Sequence, residues 1–268
     1  MTVRAWLRRW REARTLEKRA IPDALWRLTL LRFPFLAYRS AADVARLRDL
    51  STLFLARKEF TGAHGLTVAD EMAVAIAAQA CVPVLELGLD WYDGFVGIVV
   101  HADAVVAQRE VVDEAGVVHH YEEELSGEAM QGGPVMLSWS DVDEAGESAE
   151  AGYNVVIHEF AHVLDMRDGQ ADGIPALADR LARDAWHRVL WAEYDAFCDR
   201  TAVRDHTLLD PYAAQAPEEF FAVCAEAFFV APQDFLAEHA QMYALLRGFF
   251  KQDPAAHLRA SMDSLRRP

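Results

Sequence analysis

The chain has 268 residues, 53% hydrophobic and 25% charged, a globular composition unlike that of disordered, collagenous or coiled-coil chains. Asp and Glu number 42 against 26 Lys and Arg, and the formal net charge of −16 argues against direct nucleic-acid binding, which needs a basic face. The first 20 residues run the other way, with 7 positives against Glu12 and Glu17, and read as a basic arm or a solvated helix.

No apolar core follows that basic start as a signal peptide requires, and no stretch reaches the roughly 18 apolar residues of a membrane span. Cys81, Cys198 and Cys224 are odd in number and widely spaced, which fits free thiols in a reducing compartment. A soluble, cytoplasmic protein without membrane contact is the expectation. There is no internal repeat, low-complexity tract or linker to mark a domain boundary.

In chain order, residues 22–79 carry apolar positions at helical spacing, such as Leu47, Leu50, Phe54 and Leu55, with a further helix over 66–80 opened by Thr67 and Asp70. Pro83 and Gly88 break that pattern, and 95–101 reads as a strand. Residues 104–112 and 117–122 flank an Asp113-Glu114-Ala115-Gly116 turn and predict a hairpin; 135–139 predicts another strand after Gly132-Gly133-Pro134. Helices are then expected over 149–166, 175–200, 217–230 and 232–250, the last three opened by proline. The order of helices, small sheet and helices is an α+β arrangement, mainly helical, with a small mostly antiparallel sheet. It divides into a helical part (21–92), a sheet (93–147) and the helices of the site (148–250), all within one domain over 21–268.

The chemistry concentrates in Asn154-Val155-Val156-Ile157-His158-Glu159-Phe160-Ala161-His162-Val163-Leu164-Asp165. His158 and His162 lie four apart, so on a helix both imidazoles project from one face, as two ligands of a tetrahedral metal must. Glu159 is placed to reach a water beside the metal and serve as general base, the H-E-x-x-H arrangement of peptidases. The surrounding residues are nearly all apolar, so the three polar side chains are drawn inside, where unpaired ionisable groups are costly and a shared metal resolves the cost. Zn²⁺, one per chain, suits two imidazoles and a carboxylate. The spacing alone leaves the third ligand open among His187, His206, His239, Glu218, Glu219 and Glu226. Glu218 and Glu219 also have a plain role as first-turn acids of a helix opened by Pro217.

Beyond this motif, the chain carries Phe54-Leu55-Ala56-Arg57-Lys58-Glu59-Phe60, Ile76-Ala77-Ala78-Gln79-Ala80-Cys81-Val82-Pro83-Val84-Leu85, Leu87-Gly88-Leu89-Asp90, Gly133-Pro134-Val135-Met136-Leu137-Ser138-Trp139, Leu164-Asp165-Met166 and Tyr212-Ala213-Ala214. Together these resemble the Mlc titration factor A family of zinc-dependent, gluzincin-type peptidases, whose metal site is similar to that of the anthrax lethal factor catalytic domain. The resemblance spans about residues 26–235 and implies a zincin-like fold. It also implies that a tyrosine and a glutamate seven residues apart serve the zinc, matched here by Tyr212 and Glu219. Glu219 becomes the third ligand, and Tyr212 a hydroxyl donor to the oxyanion of a tetrahedral intermediate. Asp165 and Glu226 are candidates for supporting the ligands from behind, with ordinary helix positions as the alternative for each.

The implied activity is hydrolysis of peptide bonds, aminopeptidase-like on short peptides, with endopeptidase cleavage left open. The strand at 135–139 is the expected edge along which an extended peptide adds. The resemblance carries a second reading from another class: a regulatory binding protein that sequesters a transcriptional repressor of sugar uptake.

Overall fold

The computed structural model describes residues 3–112, 118–145 and 152–266. Its helices are α1 (Val3–Arg19), α2 (Asp23–Arg32), α3 (Ala41–Arg57), α4 (Asp70–Cys81), α5 (Trp139–Glu144), α6 (Val155–Asp165), α7 (Arg180–Ala202), α8 (Pro217–Val230), α9 (Pro232–Glu238), α10 (Ala240–Phe250) and α11 (Pro254–Arg266). The strands are β1 (Glu59–Gly62), β2 (Gly97–His101), β3 (Val105–Val112), β4 (Val118–Leu125), β5 (Gly127–Ala129) and β6 (Val135–Ser138). The molecule is mainly helical α+β, as its residue pattern predicts.

Strand pairing departs from that pattern. The four-stranded sheet has the order β1-β2-β6-β5; β1–β2 and β2–β6 are parallel, and only β5–β6 is antiparallel. The expectation of a mostly antiparallel sheet fails here because long crossovers, through α4 and through the β3–β4 hairpin, return each strand in the same direction. The hairpin itself forms as expected, with Val105 opposite Leu125 and Val112 opposite Val118; its turn lies outside the described residues. Strand β6 is flanked by β2 and β5, so the expected edge strand is internal and β5 takes the edge instead.

Four-residue β1 lies within the stretch read as helical, since a short segment takes its conformation from the neighbour it pairs with. Helix bounds shift where caps override periodicity. α6 starts at Val155, with the Asn154 side chain accepting from the Ile157 amide at 2.9 Å, and α7 starts at Arg180 under an Asp179 cap, not at Pro175. The expected 232–250 helix breaks at His239 into α9 and α10, and α11 extends the helical part beyond 250. The basic start is helical and fastened by ion pairs from Arg8 to Asp90 and from Glu12 to Arg57.

The core sits between α4, α6, α8 and the sheet. Phe160 of α6 packs its ring against Phe54, Tyr92 and Phe95, with centroids 5.7, 5.0 and 5.8 Å away, and all of α8 from Phe220 to Val230 is buried. Burying such aromatic side chains contributes about 1.5–3 kcal/mol each and fixes α6 against both neighbours. Among the described residues no helix is long and apolar enough to cross a membrane. All three cysteines are free.

Candidate metal centre

α6 is anchored at its amino end before it presents any chemistry. The Asn154 side chain caps the helix with its oxygen and donates through Nδ2 to Gln79 Oε1 of α4 at 2.7 Å, a buried link. Its backbone N–H donates to Glu226 of α8. The apolar residues Val155, Val156, Ile157, Phe160, Ala161 and Leu164 then face the core, and the turn between them sets His158 and His162 one above the other. Their rings stand edge to face, 4.8 Å between centroids.

The Nε2 atoms of His158 and His162 lie 3.1 Å apart, and Glu219 Oε2 is 3.1 Å from the first and 3.4 Å from the second. Glu219 is in the first turn of α8, which Pro217 opens. These three are the one group of metal-ligating side chains close enough to share an ion among the described residues, their donor atoms lying within 4.8 Å of one another. Neighbouring Glu218 is not part of it.

The tautomer needed for metal binding is built in. His158 Nδ1 is 2.8 Å from Glu226 Oε1 and donates its proton to the carboxylate, so Nε2 is the nitrogen whose lone pair a metal takes once its own proton has left. Glu226 is 2% exposed, which its two hydrogen bonds explain. Asp165 does not take that place: its Oδ2 accepts from the Gly173 amide at 2.9 Å, and its Oδ1 makes no hydrogen bond among the described residues.

Burial alone would lower the pKa of His158, but Glu219 and Glu226 at its two nitrogens outweigh it and raise the value well above the ordinary one. Burial raises Glu219 too, yet the hydrogen bonds from His158 and His162 hold it below the usual carboxylate range. A proton at His158 Nε2 and a metal ion compete for the same lone pair. Burial pushes up the carboxyls of Glu159 and Glu226 and raises that of Asp165 to about 7.

Glu159 lies under β5. A Cβ at Gly127 would stand 2.5 Å from its Oε1 and 2.7 Å from its Cδ, so any larger residue there would force the strand or the Glu159 side chain to shift. Glu159 Oε2 is buried without a hydrogen-bond partner among the described residues. Two adjoining cavities, of about 270 and 390 Å³, open over this carboxylate and share Gly127, His158, Glu159 and Tyr212 in their walls. Tyr212 sits in a 3₁₀ turn (Pro211–Ala214) whose Asp210 side chain accepts from the Tyr212 amide at 2.8 Å; its ring is 6.1 Å from that of His158.

The residues singled out in the sequence thus converge, apart from Asp165, which is occupied elsewhere. Asn154, Gln79 and Gly127 join the site although the residue pattern does not single them out. Asn154 was legible as a cap immediately before an apolar run, and Gly127 as an isolated glycine beside a strand; the Gln79 contact had no local signal.

Two imidazoles on α6, a carboxylate on α8 and, beside them, the buried Glu159, whose Oε2 has no hydrogen-bond partner among the described residues, make a donor set that suits a metal-dependent hydrolase. The sequence profile described as "Glucose-regulated metallo-peptidase M90" matches residues 7–251. The chain is 35% identical to Mlc titration factor A of Salmonella paratyphi A over 236 residues, 87% of this chain and 88% of the relative. It is 36% identical to Mlc titration factor A of Cronobacter sakazakii over 232 residues (85% and 86%), and 34% identical to an uncharacterised protein of Synechocystis over 246 (91% and 89%). The chain belongs to the glucose-regulated metallopeptidase family M90, to which its resemblance to the Mlc titration factor A proteins had pointed.

Proposed function

We propose that the protein is a zinc-dependent peptidase in which His158, His162 and Glu219 hold the ion. The observation that carries this reading is the convergence of their three donor atoms beside Glu159, whose Oε2 has no hydrogen-bond partner among the described residues, under the outer edge of β5. The donor set suits zinc, with three protein ligands as in catalytic sites. When bound, the ion supplies Lewis acidity, polarising a peptide carbonyl and acidifying water.

The chain's own groups supply the rest. Glu159, held in place by Gly127 above and by α6 below, accepts a proton from the attacking water at its open oxygen and passes it to the departing amine. Its raised pKa, caused by burial, makes it a better proton carrier near neutrality than an exposed glutamate. Tyr212, across the cleft from His158, donates its hydroxyl to the developing oxyanion. Glu226 orients the His158 ring through Nδ1. The free edge of β5 offers backbone groups that hold an extended peptide over the site. Short peptides cleaved from the amino end are the substrate class that family resemblance supports.

The test compares metal content and hydrolysis of amino-acid anilides and short peptides by the wild type and Glu159→Gln. One zinc per chain in both proteins, with cleavage by the wild type alone, is expected; zinc in both and cleavage by neither overturns the reading.

A regulatory reading rests on the name of the relatives, Mlc titration factor A, and on the family resemblance: binding and sequestration of a transcriptional repressor of sugar uptake. Pull-down of such a repressor by the intact chain, repeated with Glu159→Gln, tests it; capture by both proteins is expected if binding is separate from catalysis, and capture by neither overturns it.

A further inference from the structure

A third cavity, of about 480 Å³, opens beyond the carboxyl end of β5. Its residues come from three places. Trp91 and Phe95 follow α4, Met130 leaves the edge strand directly after Ala129, Val163 belongs to α6, and Met166 and Arg167 follow that helix. Met166 also lines the cavity over His162 and Glu219, so its side chain is a wall common to both cavities.

The walls are held in place from behind. Trp91 stands edge to face on Phe249, 5.4 Å between centroids, and the Arg167 guanidinium lies 4.9 Å from the centre of its ring while donating to the Asp90 carbonyl at 2.6 Å. Phe95 is 6% exposed, backed by Phe160 and by the Lys58 ammonium, 3.6 Å from its ring centre. Met130, in contrast, is 42% exposed at the lip. It is presented by a turn in which the Gly133 amide donates to its carbonyl at 3.0 Å and Gly132 has φ +67°, a conformation suited to glycine. A flexible thioether over a fixed aromatic wall is a surface that adapts to an apolar guest.

β5 pairs with β6 on one side, and among the described residues no strand pairs with its other edge. A chain added there in the antiparallel sense, the slightly more stable pairing, has its amino end toward Met130. Successive residues of that chain advance by about 3.3 Å, so its next side chains toward the amino end come over the third cavity.

We propose that the cavity walled by Trp91, Phe95, Met130, Val163 and Met166 is a specificity subsite for a large apolar side chain, leucine or phenylalanine, on the amino side of the scissile bond. The proposal rests on the peptidase reading and deepens it by naming the substrate class.

The test uses the zinc-loaded chain and a quenched-fluorescence peptide series in which each position from four before to one after the bond is Leu, Phe, Ala or Asp, with cleavage points mapped by mass spectrometry. A preference in kcat/KM of about tenfold or more for Leu or Phe over Ala is expected at one position before the bond. Met130→Glu, at an exposed position in the wall of the subsite, should reduce that preference to about threefold or less. Binding of the Leu and Asp peptides to Glu159→Gln, by calorimetry, gives a readout independent of turnover. Cleavage without this preference, or a preference located after the bond, overturns the subsite and leaves the peptidase reading standing. Tighter binding of the Leu peptide with no cleavage by the wild type supports the subsite and overturns the peptidase reading. Neither binding difference nor cleavage overturns both.

Discussion

His158 Nδ1 and Glu226 Oε1 are joined by a 2.8 Å hydrogen bond between residues 68 positions apart, and the other oxygen of the same carboxylate accepts the Asn154 amide at the start of α6. One buried carboxylate therefore fixes both the ring that faces the metal site and the helix that carries it. Glu226→Gln keeps the volume but offers one acceptor to two donors. Zinc affinity, measured by competition with a chelating dye, is expected to fall 10–100-fold. Unchanged affinity would remove Glu226 from the support of the site.

Gly127→Ala places a methyl group where the Glu159 carboxyl now lies. Either the strand lifts or Glu159 swings aside, and a displacement near 1 Å from the reacting geometry costs about 100-fold in rate. Zinc content should stay at the wild-type level, since the three atoms nearest to that methyl group all belong to Glu159. A variant with wild-type kcat would show that Glu159 has room the structure does not reveal.

Asp165 gives a pH dependence of stability that can be measured on the metal-free chain in the presence of chelator. Burial raises its folded-state pKa to about 7 from an ordinary 3.8, so between those values the folded protein binds more protons than the unfolded one. Stability from this group is thus greatest below about pH 4, declines as pH rises and is lowest above about pH 7. Asp165→Asn, which keeps an acceptor for the Gly173 amide, should be more stable than wild type at pH 8 by on the order of 2 kcal/mol. In urea denaturation that advantage should vanish by about pH 4. An equal difference at both pH values would exclude the ionisation of Asp165 as its source.

Asn154→Ala removes the cap of α6 and strands the Gln79 carbonyl oxygen in the core. A lost cap costs about 1 kcal/mol and a buried unpaired polar group about 1–3, so a loss of roughly 2–4 kcal/mol is expected in equilibrium unfolding. Asn154→Ser, which caps but cannot reach Gln79, should fall between the two. If serine restores full stability, the link to α4 contributes nothing.

What the residues reveal on their own is local. The spacing of His158 and His162 follows from the 3.6-residue helical period, and Pro217 marks the first position of α8 because its missing N–H costs nothing there. The main helices, the β3–β4 strands and the mainly helical α+β class follow from the same short-range rules. Glu219 was harder to read: spacing left six candidates, and only the family resemblance selected it.

The remainder depended on packing between distant segments. His158 meets Glu219, 61 residues on, and Asn154 meets Gln79, 75 residues back, because the buried apolar faces of α4, α6 and α8 pack together. No periodicity encodes which carboxylate then lands behind the imidazole, which is why Glu226, not Asp165, stands there. The identity of the edge strand was settled in the same way. Strand β6 has the apolar pattern of a strand, but only the parallel pairing with β2 and the return of β5 decide that it lies inside the sheet and that Gly127 passes over Glu159. Hydrogen-bond pairing and close packing act through space, so the chain specifies its His158–His162 helix within twelve residues but brings Glu219 and Glu226 to it only when it has folded.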